Sequence, residues 1–242
     1  VFVAAARVIA LRRTSLAPGH FTIRLDWGVM RFLLVTGGAL TTAQLADFLY
    51  APTDMILIEQ LLDPVLVAAY TPAVQIDAAL LLLVAAIGSV SFPQAAIALA
   101  THRPHALRRI WIRGTIASGI VLVVASTLLV WFAEPILRAW LGVAMPETLA
   151  ILPWVMIHTV IGGASGVSRS MLIALGRVRA LTVAVLLAAV GNVLLSILFV
   201  AGFGMGLHRI VLGAILSGGL RCEVWMPRYT HRATRDAERP LP

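Results

Sequence analysis

Six apolar runs, each long enough to cross a lipid bilayer, alternate along this chain with short polar breaks. Hydrocarbon about 30 Å thick takes roughly 20 helical residues to cross. A helix suits that environment because it satisfies its own backbone hydrogen bonds where no water is available. The pattern predicts an all-α fold, a polytopic transmembrane helix bundle of six helices. Hydrophobic residues make up 60% of the 242 and charged residues only 12%, against about 25% charged in a soluble domain.

The runs lie at about residues 31–51, 64–100, 110–132, 147–176, 181–201 and 207–225. Pro52 removes a backbone donor and disfavours helix at Ala51, so the first run is expected to stop there, with Asp54, Glu59 and Asp63 in the turn that follows. The second run exceeds one crossing, which implies tilt or bending, and Pro72 and Pro93 are the expected bend points. Residues 133–146 read as a connection. Before the first run, residues 1–13 are too short to span before Arg12 and Arg13 interrupt them. They are expected to be the end of a truncated transmembrane helix, followed by a cytoplasmic loop over 14–30. The six-helix lobe then occupies 31–228, and 229–242 form a basic, solvated tail.

All nineteen basic residues are arginine, and they cluster in alternate breaks. Arg12, Arg13 and Arg24 precede the first run, and Arg103, Arg108, Arg109 and Arg113 lie between the second and third. Arg177 and Arg179 separate the fourth and fifth, and Arg228, Arg232, Arg235 and Arg239 fill the tail. The intervening breaks are poor in arginine. Positive-inside bias then places both ends of the segment in the cytoplasm, in a multi-pass protein of a bacterial inner membrane. The net charge of +8 accordingly points to an anionic membrane face and away from nucleic acid.

The absence of lysine removes P-loop and Schiff-base chemistry. The single Cys222 cannot form an internal disulfide, and beyond His102 and His105 no Cys/His set has zinc-ligand spacing. No catalytic residue, metal or cofactor is expected.

Functional candidates are polar groups inside the runs. Intramembrane carboxylates are costly, so Asp47 and Asp77 are candidates for ion coupling, although Asp77 also fits an interfacial position. Arg24, Arg31, Arg113 and Arg169 could edge a cytoplasmic vestibule for an anionic substrate headgroup, since guanidinium matches phosphate bidentately; snorkelling explains Arg113 and Arg169 equally well. Gly162, Gly166, Ser170 and Ala174 recur every four residues, as do Ala184, Ala188, Asn192 and Ser196. Such stripes either pack the fourth and fifth helices together or line a cavity. Asn192, near mid-membrane, needs an interhelical partner.

The stretch Thr53-Asp-Met-Ile-Leu-Ile-Glu-Gln-Leu-Leu-Asp-Pro-Val-Leu-Val-Ala-Ala-Tyr70, continued by Ser91-Phe92-Pro93, resembles the opening of the second lobe of polysaccharide flippases. Leu172-Ile-Ala-Leu-Gly-Arg-Val-Arg179, then Gly191-Asn192 and Gly202-Phe-Gly-Met-Gly206, resemble the last three helices of the same group. The group is the multidrug/oligosaccharidyl-lipid/polysaccharide exporter superfamily, matched over residues 31–228. His208 and Arg209 depart from the small residues usual after the last glycine. The resemblance implies the C-terminal lobe of a two-lobe transporter lacking its N-terminal lobe. It also implies translocation of a polyprenyl-diphosphate-linked saccharide for cell-surface polysaccharide or lipopolysaccharide synthesis. Cation-coupled drug export on the same fold and a non-transporting membrane scaffold remain open.

Overall fold

The computed structural model describes residues 27–101, 103–143, 145–203 and 206–236. Its helices are α1 (Trp27–Leu61), α2 (Pro64–Ala100), α3 (Pro104–Trp131), α4 (Ala133–Leu141), α5 (Pro146–Ala164), α6 (Gly166–Ala174), α7 (Val178–Phe203), α8 (Leu207–Gly219) and α9 (Met226–Asp236). A π-helical segment, Leu220–Trp225, joins α8 to α9. With α5–α6 and α8–α9 each counted as one span, six helical stretches among the described residues are long and apolar enough to cross a membrane. The preceding helix end over 1–13, residues 14–26 of the loop expected over 14–30 and the final residues 237–242 lie outside the described residues, while residues 27–30 of that loop open α1. An N-terminal unit covers 1–35 and a second unit the remainder. Of the first, residues 27–35 form the opening turns of α1, on which Arg31 is exposed.

Local chemistry sets several boundaries. Asp63 caps α2, its Oδ1 accepting from the Val65 N–H at 2.8 Å, and Pro64 occupies the first turn, where a missing N–H costs nothing. α6 ends in a Schellman arrangement, in which the Arg177 N–H donates to the Leu172 carbonyl at 2.9 Å and the Gly176 N–H to that of Ile173 at 3.0 Å. Gly176 takes φ +70° there, a conformation costly to a side chain.

Three expectations are corrected. α1 does not stop at Ala51 but runs through Pro52 to Leu61. Proline is tolerated within spanning helices because neighbouring groups compensate the lost bond, and Asp54 and Glu59 therefore lie on a helix. The connection at 133–146 contains α4, whose Glu134 and Arg138 pair at 2.6 Å one turn apart. The tail is not solvated from residue 229: α9 continues to Asp236 and buries Met226, Thr230, Ala233 and Thr234 along one face.

The core lies where α2 meets α5, around Tyr70, Ile76, Leu80 and Val84 opposite Ile151, Leu152, Val155 and Met156, and it takes in Ile210 and Val211 of α8. Outward-facing Leu82, Ile120, Leu187 and Leu194 remain largely exposed, as a lipid-facing girdle requires. Gly166 and Ser170 of the first small-residue stripe and Ser196 of the second pack against helices other than each other's. Gly166 faces α2, where an added Cβ would come within 2.5 Å of Val84, while Ser170 approaches Gly88 of the same helix. Ser196 of α7 faces α8: a Cβ on Gly213 would meet its Oγ at 2.6 Å and its backbone nitrogen at 3.0 Å. Gly213→Ala should therefore destabilise the protein by about 1–3 kcal/mol through overpacking. Gly162→Ala, where an added Cβ meets nothing within 4 Å, should leave thermal unfolding in detergent unchanged; equal stability of the two variants would reject this packing account.

Candidate functional site

α1 packs on the other helices through apolar residues such as Ala43 and Ile58 and is also tied to them by polar side chains, and these polar links mark the candidate site. The Thr182 hydroxyl of α7 donates to the Ala39 carbonyl at 2.8 Å. Tyr50 shares a 2.7 Å hydrogen bond with Ser217 of α8 and stacks on His158 of α5, ring centroids 5.8 Å apart. Two carboxylates of α1, Asp47 and Asp54, are seven residues apart and so share one helical face.

Asp54 is 1% exposed, as is Asn192 of α7. The Asn192 Nδ2 donates to Asp54 Oδ1 at 2.7 Å, and the Tyr70 hydroxyl of α2 approaches Oδ2 at 3.4 Å. Both donors are uncharged, and among the described residues no ion pair includes Asp54. The Asn192 Oδ1 is buried without a hydrogen-bond partner. Asn192 thus has the interhelical partner its position demanded. The carboxyl that provides it was not among the sequence candidates, because the turn expected after Pro52 would have placed Asp54 outside the bundle.

Asp47 accepts from two guanidiniums: Arg169 Nη1 of α6 on Oδ2, and Arg221 Nη1 of the π-helical segment on Oδ1 at 2.9 Å. All three side chains are substantially buried, Arg221 to the extent of 18% exposure. The π-helical segment is a local departure of the kind that re-aims a side chain at a functional position, and it carries Arg221. One carboxylate facing two guanidiniums leaves one surplus positive charge, and the Arg221 Nε is buried without a hydrogen-bond partner.

The remaining sequence candidates are dispersed. Asp77 is half-buried on α2 and accepts from the Thr159 hydroxyl at 2.5 Å, with His158 in electrostatic range. Arg113 is exposed on α3, Arg31 belongs to the N-terminal unit, and Arg24 lies outside the described residues. Arg169 is engaged by Asp47, so neither is the isolated charge that the sequence suggested. Gly162, Gly166 and Ser170 lie at helix contacts or partly open positions along α5 and α6, and Ser196 is buried against α8. Among the described residues no group of His, Cys, Asp and Glu could hold a metal ion.

A family model described as MatE matches residues 39–208, which includes Asp47, Asp54, Arg169 and Asn192. The chain belongs to the MatE family. Solved structures agree with MatE in fold. A crystal structure of MATE in the bent conformation superposes with a TM-score of 0.82 at 12% identity, covering 97% of this chain and 53% of that one. A multidrug resistance MATE family transporter of the MOP superfamily, in an outward-facing conformation, gives 0.81 at 13% identity over 97% and 54%. The Vibrio cholerae MATE transporter VcmN in the bent form gives 0.70 at 18% identity over 84% and 47%. The chain therefore spans about half the length of the solved transporters it matches. No curated protein matches its sequence.

Proposed function

We propose that this MatE chain forms one lobe of a proton-coupled exporter in which Asp54 is the coupling carboxyl. The observation that carries the reading is the buried position of Asp54 between two uncharged donors, Asn192 and Tyr70. An ionised carboxylate in a membrane interior without a cation is costly, and taking up a proton removes the charge. The Asn192 amide serves both states. As found, its Nδ2 donates to the carboxylate; turned over, its otherwise unpartnered Oδ1 accepts from the protonated carboxyl. Because this contact is one of the ties between α1 and α7, protonation changes how strongly α1 is held. A proton bound more tightly in one arrangement of the helices than in another shifts the balance between them.

We extend the reading to an organic cation as the exported substrate, in keeping with the fold shared with a solved multidrug resistance MATE family transporter, and the half-length match supports a second, N-terminal lobe as partner. In this reading both ends of the segment are cytoplasmic in an inner-membrane protein, which the alternating arginine clusters support. A second reading, translocation of a polyprenyl-diphosphate-linked saccharide, is supported by the surplus positive charge around Asp47, which suits a diphosphate. Proteoliposomes holding the two-lobe transporter under an imposed pH gradient distinguish the two. Organic-cation efflux without movement of lipid-linked sugar is expected. Lipid-linked sugar movement without cation efflux would replace the first reading with the second.

A further inference from the structure

We infer that Asp77 of α2 and His158 of α5 form a second proton-binding site, separate from Asp54, that fastens α2 to α5. The observation that carries it is a count of hydrogens. The Thr159 hydroxyl lies 2.5 Å from Asp77 Oδ1 and 2.9 Å from the Val155 carbonyl oxygen. A hydroxyl has one hydrogen to donate and lone pairs with which to accept. With Asp77 ionised, Thr159 must divide its hydrogen between two acceptors. With a proton on Asp77, the carboxyl donates to Thr159 Oγ1 and the Thr159 hydrogen goes to Val155, so each contact has a hydrogen of its own.

No cation compensates Asp77 directly. Thr159 is fully buried and Asp77 half-buried, and among the described residues no ion pair includes Asp77 or His158. An uncompensated carboxylate inside a membrane is costly. His158, next to Thr159 on α5, is in electrostatic range of Asp77, and its ring can take up the same proton. One proton held between the two gives either a neutral acid beside a neutral imidazole or a carboxylate beside an imidazolium. Both arrangements carry no net charge, and losing the proton leaves one negative charge.

The other ionisable groups nearby do not compete for this proton. Tyr70 of α2 is in range of Asp77, and Tyr50 of α1 lies against the His158 ring; both are phenols that stay protonated near neutral pH. Arg221 is in range of His158 but is held by Asp47. α3 has no ionisable side chain from Gly114 to Trp131.

The position of the pair gives it a consequence. The His158 ring stacks on Tyr50 with centroids 5.8 Å apart, and its Nε2 would be 3.5 Å from a Cβ added to Gly218 of α8. His158 thus meets α1 and α8 while Thr159 meets α2. Tyr50 is four residues from Asp54, one turn or about 6 Å along α1. A proton gained or lost at the pair changes the hold of α5 on α2 and, through the stacked ring, is felt on the helix that carries Asp54. The site rests on its own contacts and does not require Asp54 to be the coupling carboxyl.

The test is infrared spectroscopy of the intact protein in lipid vesicles, which reads the carbonyl band that a protonated carboxylic acid has and a carboxylate lacks. Between about pH 5 and 8 the wild type should show a titrating band that Asp77→Asn removes. A protonated Asp54 contributes its own band, removed by Asp54→Asn, so the two readings fail separately. Thr159→Val keeps the side-chain shape without the hydroxyl and should shift the frequency of the Asp77 band. His158→Phe keeps a ring on Tyr50 and should displace the pH at which that band disappears by at least about tenfold in proton concentration. No band removed by Asp77→Asn across that range, or an Asp77 band indifferent to both Thr159→Val and His158→Phe, would overturn the assignment.

Discussion

Asp54→Asn should abolish the response of transport to an imposed pH gradient while leaving the protein folded and inserted. The substituted amide keeps nearly the same shape and can still bond to Asn192 and Tyr70, so the contacts that tie α1 to α7 and α2 survive. What is lost is the ability to change charge. Gradient-driven efflux in proteoliposomes should fall by at least about tenfold, the rate equivalent of about 1.4 kcal/mol, whereas substrate binding should be retained. Asn192→Ala should act differently. It leaves the carboxyl without its better-placed donor and thereby weakens the link between helices, reducing thermal stability as well as transport, because an orphaned buried polar group costs about 1–3 kcal/mol. Wild-type pH dependence in Asp54→Asn would remove this residue from the coupling role, even if export itself were confirmed.

The largest loss of stability is expected from Asp47→Ala. The substitution leaves Arg169 and Arg221 facing one another with no counter-charge between them. Removing one partner of a fully buried ion pair costs about 3–5 kcal/mol; with 18–31% of each arginine side chain exposed, screening brings this to about 2 kcal/mol. Arg169→Ala should cost less, because Asp47 keeps Arg221 and the surplus charge disappears. The Asp47→Ala/Arg169→Ala double variant should be more stable than the sum of the single effects by about 1 kcal/mol, the signature of a direct interaction. Melting temperatures in detergent give all three values. A loss for Asp47→Ala no greater than that for Arg169→Ala would show that the surplus charge is not felt inside the bundle.

Much of the architecture was legible in the residue order. The six apolar stretches depend on local chemistry, and a helical span is found over each of them, although the first continues past Ala51 to Leu61. Errors arose where local rules compete with an environment that local rules do not describe. Pro52 ends helices in water, but among packed helices in lipid its missing bond is tolerated, and with that misreading Asp54 was lost as a candidate. The tail looked soluble because Arg228, Arg232 and Arg235 dominate its composition. The buried face formed by Met226, Thr230 and Ala233 appears only when those positions are read at helical spacing.

By itself the sequence determined that the described residues hold six helical stretches long and apolar enough to cross a membrane, because the length of an apolar run and the cost of unsatisfied backbone in hydrocarbon depend on nothing beyond the run itself. Which polar groups meet was decided only in three dimensions. Asp54 and Asn192 are 138 residues apart, and Asp47 lies 122 and 174 residues from its two arginines. A helix that faces lipid on one side and protein on the other is apolar on both, so its sequence carries little record of which face turns inward or of which neighbour it meets. Packing supplies that information, and in this lobe it turned a carboxylate expected in a loop into the buried centre of the candidate site.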